Sequence, residues 1–320
     1  FELYDDNGEL AREIRARPRV RSARTRCRDE RMNAPILVTG GTGVLGRVVV
    51  ERLRAAGRET RVASRRPAPA NAIGRAAPDF SPDSAEVNPQ PDSATMHRST
   101  GWATVDLSTG AGLAEALAGV ETVVHCATSM RAGPDIAATR QLVAAAAHAG
   151  VAHLIYVSIV GVDQIPLGYY GGKLTCERIV EESGVPHTIL RATQFHDLLR
   201  ALFATAAKMP VMFVPAVRFQ PVDVSDVAAR LVELASGEPL GRAPDIGGPE
   251  IRPAVDLARA YLDATGRRRP IVPISLPGKL FRALRDGSNL APDNVVSGPD
   301  FARYLSTHPA PARVSYRPRR

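Results

Sequence analysis

Tyr169 and Lys173 are two side chains whose chemistry and spacing suggest catalysis. They are four residues apart, and a helical pattern continues to Val180, so both lie on one face of a predicted helix. A lysine close to a phenol favours the phenolate, so Lys173 would lower the pKa of Tyr169 and help it exchange a proton with a reacting group. Ser158 lies at the end of the preceding predicted strand. Two solvated residues on a helix would have the same spacing, and that alternative stays open.

A glycine-rich turn is the second feature with a chemical meaning. Residues 36–46 read as an apolar strand, a cluster of small residues and the start of a helix. Gly40 permits a tight turn, Gly43 lets a pyrophosphate approach the backbone, and Gly46 lets the helix pack on the sheet. The residues after Gly46 are not the Lys-Ser/Thr of a triphosphate-binding loop, so the pattern predicts a dinucleotide, with a ligand-free turn as the alternative. The candidate contacts are Gly40, Thr42, Gly43, Val44, Leu45 and Gly46.

The end of the second predicted strand bears on the choice of dinucleotide. Arg65 and Arg66 stand where an NAD-specific site usually has an acidic residue. An arginine there can pair with the 2′-phosphate of NADP, so the sequence favours NADP(H), although a solvated arginine pair on a loop would look the same. Asp106 could reach an adenine amino group or could equally form a turn. The other candidate cofactor contacts are Leu107, Ala127, Thr128 and, for the nicotinamide ribose, Lys173.

Alternating strands and helices position these residues. Apolar runs predict strands at 35–39, 60–64, 103–105, 122–126, 153–157 and 187–190. Helical patterns between them cover 44–56, 111–118, 135–150 and the segment ending at Val180. This alternation predicts an α/β fold with a doubly wound parallel sheet of the Rossmann type, whose ligands bind at the carboxyl ends of the strands. The candidate substrate contacts follow strand six and are Thr193, Gln194, Phe195 and His196, the last expected to line a pocket or to pack.

The C-terminal part predicts a small substrate lobe, with elements mainly within 193–306. The expected elements are a helix capped by Ser225, a last strand and turn at 245–249, a helix at 254–265, a strand at 270–275 and a helical cap at 279–286.

Three other segments have little apolar periodicity. Residues 1–31 predict a disordered or loosely docked extension, and Met32 is the expected natural start of the domain 32–306. The stretch 67–100 predicts a long surface loop, and 307–320 predicts a disordered tail.

Composition limits the partners. The chain has 320 residues, 44% of them hydrophobic, and a net charge of +8. Its arginines crowd the two ends and the triplet 267–269, which indicates solvated segments more than a nucleic-acid groove. Cys27, Cys126 and Cys176 have no metal-ligand spacing, so we expect no metal and a reducing cytoplasm. No apolar run reaches the length of a membrane span and no signal peptide precedes the first strand, so we expect a cytoplasmic monomer or homodimer with a small-molecule substrate.

Several of these motifs together resemble the atypical short-chain dehydrogenase/reductases of the NmrA-like group, in particular its actinobacterial members. The motifs are TGGTGVLG at 39–46, SRR at 64–66, VDL at 105–107, VSIVG at 157–161 and PVDVSDVA at 221–228. The resemblance covers residues 32–306 and implies an NADP(H)-binding Rossmann domain with a smaller C-terminal substrate lobe. The resemblance also implies a catalytic hydroxyl after strand five, for which Ser158 is the third candidate catalytic residue beside Tyr169 and Lys173. The chain departs from extended relatives at Val160, where they have the active hydroxyl, and at Ala192, where a proline is usual.

The resemblance implies more than one kind of function. The first is an NADPH-dependent reductase that transfers hydride to a carbonyl or quinone-like acceptor, with Tyr169 as the proton donor. The second is a non-catalytic regulator that senses NADP(H) and binds a partner protein, and a sugar epimerase or dehydratase is a third. Many members of the group replace the tyrosine and keep the lysine, so the presence of both Tyr169 and Lys173 favours an enzyme.

Overall fold

The computed structural model describes residues 34–66 and 100–308. The predictions for the extension 1–31, for nearly all of the loop 67–100 and for the tail beyond 308 lie outside the described residues. The first elements are β1 (Ile36–Thr39), α1 (Val44–Ala55), β2 (Thr60–Ser64), β3 (Thr100–Thr104), α2 (Leu113–Leu117), β4 (Thr122–His125), α3 (Ala132–His148), β5 (His153–Ile159), α4 (Gly168–Glu181) and β6 (His187–Ala192). They are followed by α5 (His196–Ala206), β7 (Met212–Pro215), β8 (Arg218–Phe219), α6 (Val224–Ala235), β9 (Gly241–Arg242), β10 (Arg252–Pro253), α7 (Ala254–Ala264), β11 (Ile271–Ile274), α8 (Lys279–Asp286) and α9 (Phe301–Thr307).

The central sheet has seven parallel strands in the order β3-β2-β1-β4-β5-β6-β9. In the middle, Val38 of β1 lies opposite Val62 of β2 on one side and opposite Val124 of β4 on the other. The strand order reverses between β1 and β4, and a crevice opens at the carboxyl ends of strands where such a reversal occurs. The predicted doubly wound parallel sheet is therefore confirmed.

Helices cover both faces of this sheet because their apolar residues recur at helical spacing. On one face, Leu53 of α1 and Leu231 of α6 belong to the same apolar core as Val38. On the other face, Leu142 of α3 and Val180 of α4 pack with the neighbouring strands. Burying these side chains removes apolar surface from water, and that burial holds the sheet between its two helical layers. The glycine turn and α4 are thus anchored to one rigid sheet.

The described C-terminal elements build a separate apolar cluster. Phe203 of α5, Tyr261 of α7 and Phe301 of α9 are buried together there. β11 pairs with β7 beside this cluster, and α8 has the bounds predicted for the helical cap. No helix among residues 34–66 and 100–308 is long and apolar enough to cross a membrane.

Two local predictions for this part are wrong. Asp223 and not Ser225 caps α6, because the Asp223 carboxylate accepts the Ser225 N–H at 2.7 Å. Residues 245–249 do not form a strand, since only Ile246 bridges to Ala192 and the sheet ends instead with β9. The chain forms isolated bridges here, since Gly247 pairs with Val295 and a Cβ on Gly248 would clash with the Pro221 carbonyl.

Candidate active site

The loops that follow β1 and β4 meet at Gly40. The φ angle of Gly40 is +69°, and a Cβ placed on it would lie 2.7 Å from the Cα of Ala127. A Cβ on Gly46 would lie 2.9 Å from the Cα of Gly41, so α1 begins directly against the turn. The Gly43 N–H closes the turn by donating to the Gly40 carbonyl at 2.8 Å. The backbone geometry itself therefore requires glycine at positions 40 and 46.

The N-terminus of α1 is open to an anion. Gly43 is its N-cap, no side chain caps it, and its first turn carries no acidic residue. The N–H groups of Val44, Leu45 and Gly46 begin the helix and have no carbonyl partner within it. A Cβ on Gly43 would meet only the Gly40 carbonyl, at 3.1 Å, and Thr42 is exposed beside it. This open cradle of N–H groups has the form of a phosphate site.

A buried histidine links β1 to β4 directly beneath this turn. The Thr39 hydroxyl lies 2.6 Å from Nδ1 of His125, and the Thr139 hydroxyl lies 3.4 Å from Nε2. Burial lowers the pKa of His125 to about 3, and the charge of Lys173 acts in the same direction. His125 is therefore neutral at physiological pH and has a structural role between the two strands.

The side chains predicted to select the dinucleotide lie at the ends of β2 and β3. Arg65 and Arg66 are exposed, and the Arg66 carbonyl accepts the indole N–H of Trp102 at 2.8 Å. Asp106 forms a turn, because its Oδ1 accepts both the N–H and the hydroxyl of Ser108, at 2.9 and 2.6 Å. These bonds, with a smaller effect of Arg65, lower the pKa of Asp106. Both arginine side chains are thus available to a ligand, and Asp106 adopts the turn alternative.

The Tyr169 hydroxyl is the first member of a chain of hydrogen bonds. It lies 3.0 Å from Oγ1 of Thr128, which in turn donates to Oδ2 of Asp135 at 2.6 Å. Thr128 follows β4, Asp135 is in the first turn of α3, and Tyr169 is in the first turn of α4, so three elements meet here. The sequence predicted Tyr169 and Thr128 for the site but assigned no role to Asp135. The one feature of the sequence that could have indicated Asp135 is its position in the first turn of a predicted helix.

The pKa of Tyr169 departs from the prediction made from the sequence. Burial raises it to about 12, the hydrogen bond with Thr128 opposes the increase, and the negative charge of Asp135 adds to it. The predicted lowering by Lys173 is therefore wrong for this structure, because the phenol faces Thr128 and Asp135. Tyr169 is half-buried and stays protonated at physiological pH.

Lys173 is buried one turn further along α4. Its Nζ donates to the Val157 carbonyl at 3.1 Å and lies 4.8 Å from the centre of the Tyr156 ring. Burial lowers the pKa of this lysine, while the nearby Asp135 carboxylate opposes the decrease. An ammonium group has three N–H donors, so two remain for a ligand.

Close packing holds α4 against the start of α3. A Cβ on Gly172 would lie 2.5 Å from the Cβ of Ala132, whereas a Cβ on the neighbouring Gly171 would meet nothing within 4 Å. Gly172 therefore lets the two helices approach and brings Tyr169 to Thr128.

Ser158, the third predicted catalytic residue, is not part of this chain of hydrogen bonds. Its hydroxyl is buried and has no hydrogen-bond partner among the residues that the structure describes. In the sheet it lies opposite Arg191, on the neighbouring strand β6.

The four predicted substrate contacts divide into two groups. The Thr193 hydroxyl donates to the Gln220 carbonyl at 2.5 Å, and His196 is fully buried and stacks on Tyr304. These two residues pack, as expected for His196. Gln194 is also buried, and its side chain lies close to Tyr170. Burial raises the pKa of the Tyr170 phenol, and the hydrogen bond with Gln194 opposes that increase. Phe195 is half-buried against the sheet core.

A network of buried charges lies further along the same edge of the sheet. Arg191 donates to both carboxylate oxygens of Glu177, at 2.8 and 2.6 Å, and its third nitrogen lies 3.0 Å from Asp163. A cavity of about 450 Å³ opens beside Asp163 and Arg191 and is also lined by Arg242 and Asp245. No local pattern in the sequence indicated this network, because Asp163, Glu177 and Arg191 come from a loop, a helix and a strand. It ties the loop before α4 to β6.

The comparison with known families decides the classification. Residues 32–238 match the model of the NmrA-like family. The chain belongs to the NmrA-like family. This confirms the resemblance seen in the sequence, and the match spans the glycine turn, Tyr169 and Lys173.

Named relatives of this NmrA-like chain include two reductases. Quinone oxidoreductase 2 of Escherichia coli is 25% identical over 239 residues, which are 73% of this chain and 75% of the relative. The (4-alkanoyl-5-oxo-2,5-dihydrofuran-3-yl)methyl phosphate reductase of Streptomyces griseus is 30% identical over 230 residues, 67% of this chain and 68% of the relative. The NmrA-like family is thus an NAD(P)-binding oxidoreductase family with quinone oxidoreductase and reductase members.

Solved structures share the fold of this NmrA-like chain. An NADPH-dependent quinone oxidoreductase from Escherichia coli, complexed with NADPH, has a TM-score of 0.65 and 21% identity, covering 85% of this chain and 99% of its own. A nucleoside-diphosphate-sugar epimerase from Staphylococcus aureus has a TM-score of 0.63 and 20% identity, covering 86% and 100%. At these identities the similarity establishes the Rossmann-type fold.

Proposed function

We propose that this protein is an NADPH-dependent reductase that transfers hydride to a carbonyl or quinone-like small molecule. The observation that carries the proposal is the Tyr169 hydroxyl, a protonated phenol hydrogen-bonded to Thr128 beside the loop that touches the glycine turn. The oxygen that gains charge as hydride reaches a carbonyl becomes more basic than a phenolate, so a phenol that still holds its proton can donate to it. Two of its relatives, a quinone oxidoreductase and a reductase, belong to this reaction class.

The residues at the crevice fit a dinucleotide phosphate. The N–H groups at the start of α1 form an uncapped cradle, and no acidic side chain occupies the first turn of that helix. Arg65 and Arg66 are exposed at the end of β2 and would pair with a 2′-phosphate, which favours NADP(H) over NAD(H). When bound, NADPH supplies the hydride. Lys173 would hold the nicotinamide ribose with the two donors that Val157 leaves free.

The acid step falls to the chain's own residues. Tyr169 would turn its hydroxyl from Thr128 to the acceptor and give its proton to the oxygen that gains charge as hydride arrives. The phenol then recovers a proton from water, which reaches it because Tyr169 is only half-buried. Tyr170 follows Tyr169 on α4, and its phenol lies close to Gln194. These two residues are the proposed contacts for the part of the acceptor molecule that does not react.

Turnover by a Tyr169→Phe variant tests this function. We expect the Kd for NADPH to be nearly unchanged and the reduction of aldehydes to fall by about 10²–10⁴-fold, the range for loss of a positioned acid. Tyr170→Phe is the matched comparison. It removes a proposed acceptor contact and leaves the bond between Tyr169 and Thr128, so we expect it to change the KM for the acceptor and not kcat. A protein that binds NADPH but oxidises it with no quinone or aldehyde of a broad panel would contradict the reductase and favour the NADP(H)-sensing regulator.

A further inference from the structure

Counting protons fixes the direction of the hydrogen bonds that join Tyr169, Thr128 and Asp135. A threonine hydroxyl has one proton, and that of Thr128 is donated to Oδ2 of Asp135. The 3.0 Å bond to Tyr169 must therefore use the phenol's proton, with Thr128 as the acceptor. The Met130 N–H, 3.2 Å away, donates to the second lone pair of the same oxygen. Thr128 is fully engaged, so it cannot donate to Tyr169 while Asp135 is ionised.

Donors surround both carboxylate oxygens of Asp135. Its Oδ1 accepts the Ser129 N–H at 2.6 Å and the Ser129 hydroxyl at 2.7 Å, while its Oδ2 accepts the Thr128 hydroxyl at 2.6 Å. The residue is 7% exposed and lies in the first turn of α3. In all three bonds Asp135 is the acceptor, so the Thr128 proton lies on the side of the carboxylate.

We propose that Asp135 is a positioning residue of the reduction, which locks the Thr128 hydroxyl as an acceptor and thereby keeps Tyr169 a proton donor. The proposal rests on the reductase function for its purpose, but the hydrogen-bond direction can be measured without any substrate. It gives the buried aspartate, which the sequence left without a role, a specific effect on the acid.

The lock has a measurable effect on the acidity of Tyr169. Burial is the largest cause of the raised pKa of Tyr169, the hydrogen bond with Thr128 opposes it, and the Asp135 charge adds to it. The bond to Asp135 competes with any turn of the Thr128 hydroxyl towards the phenolate, and so limits that opposing effect. Besides Asp135 on α3, the titratable groups that act on Tyr169 are Tyr170 and Cys176, both on α4. Lys173, also on α4, faces Asp135. Asp135 is the anion in this set.

An Asp135→Asn variant should reverse the chain of hydrogen bonds. The amide oxygen will face Ser129, which offers two donors, so the amide NH₂ will face Thr128 and donate to it. The Thr128 proton is then free to point at Tyr169. We expect the pKa of Tyr169 to fall from about 12 to about 10–11, because the Asp135 charge is lost and the Thr128 hydroxyl can donate to the phenolate. The tyrosinate absorbance, taken as the difference between each protein and its Tyr169→Phe counterpart, reports this shift.

Ser129→Ala is the matched control, because it removes a donor to the same carboxylate and leaves the bond to Thr128. We expect it to leave the Tyr169 titration unchanged. An equal shift in both variants, or none in Asp135→Asn, would overturn the proposal. If Asp135→Asn does not fold, neutron diffraction from wild-type crystals decides the question, since deuterium placed between Thr128 and Tyr169 must belong to the phenol. If Tyr169 donates to Thr128 as proposed but the protein reduces no substrate, the reductase function is refuted, while the proposed effect of Asp135 on Thr128 stands.

Discussion

Replacing Gly172 with alanine should force α4 away from α3. The new Cβ would lie 2.5 Å from the Cβ of Ala132 and 2.7 Å from its Cα, whereas carbon atoms in good contact are about 3.5–4.0 Å apart. The helices must therefore separate by about 1 Å at this point. Overpacking of this kind costs about 1–3 kcal/mol, and the better helix propensity of alanine offsets about 0.5–1 kcal/mol of it. We expect a net loss of about 1 kcal/mol in the free energy of unfolding.

The same displacement should reach the candidate active site. Tyr169 is one helical turn before Gly172, so a shift of α4 would stretch its 3.0 Å bond to Thr128 beyond hydrogen-bonding distance. Gly171→Ala is the matched control, since its Cβ meets nothing within 4 Å, and it should stabilise the helix by about 0.5–1 kcal/mol. Urea denaturation of the two variants gives the comparison. A Gly172→Ala protein as stable as Gly171→Ala would refute this account of helix packing.

Two further predictions concern the cofactor and the response to pH. Arg65→Ala should weaken NADPH binding by about 1.5–3 kcal/mol in calorimetric titrations and should hardly change NADH binding. Replacing the exposed Arg54 with alanine should change the binding of neither dinucleotide, and equal losses for both in Arg65→Ala would contradict the assignment. Lowering the pH from about 7 to about 5 should reduce the free energy of unfolding by about 2 kcal/mol through His125. The pKa of His125 is about 3 in the folded protein and about 6.5 in the unfolded chain, so the unfolded chain binds more protons as the pH falls. Urea denaturation at both pH values should show a smaller change in unfolding free energy for His125→Asn than for the wild type, and an unaltered change for the exposed-residue variant His148→Asn. The same change in all three proteins would contradict the role of the buried His125 imidazole.

Local patterns were sufficient for the first six strands of the sheet and for the helices between them, but not for the edge strand β9. The bounds of β2 and α8 agree with the predicted ones, because hydrophobic period and flanking glycines or prolines are properties of neighbouring residues. The cap of α6 was assigned wrongly because Asp223 and Ser225 are both good capping residues two positions apart, and only the hydrogen bond distinguishes them.

The candidate site was only half predictable for a different reason. Tyr169 and Lys173 share one helix, so their spacing is visible in the sequence. Asp135 and Thr128 reach Tyr169 from other elements, across separations that no local period encodes. Burial and the Asp135 carboxylate raise the pKa of Tyr169, and neither is visible in the sequence, so the predicted direction of the shift was wrong.

The charge network at Arg191 constrains how this chain can change over generations. Arg191 and Glu177 are 4% and 3% exposed, so losing either one strands a buried charge and costs about 3–5 kcal/mol. Replacing both by apolar residues of similar volume would cost little, yet a lineage must pass through one of the damaged single substitutions to get there. Asp163, at 41% exposure, faces no such barrier. In descendants of this sequence Asp163 should drift freely, while Glu177 and Arg191 should persist or disappear together.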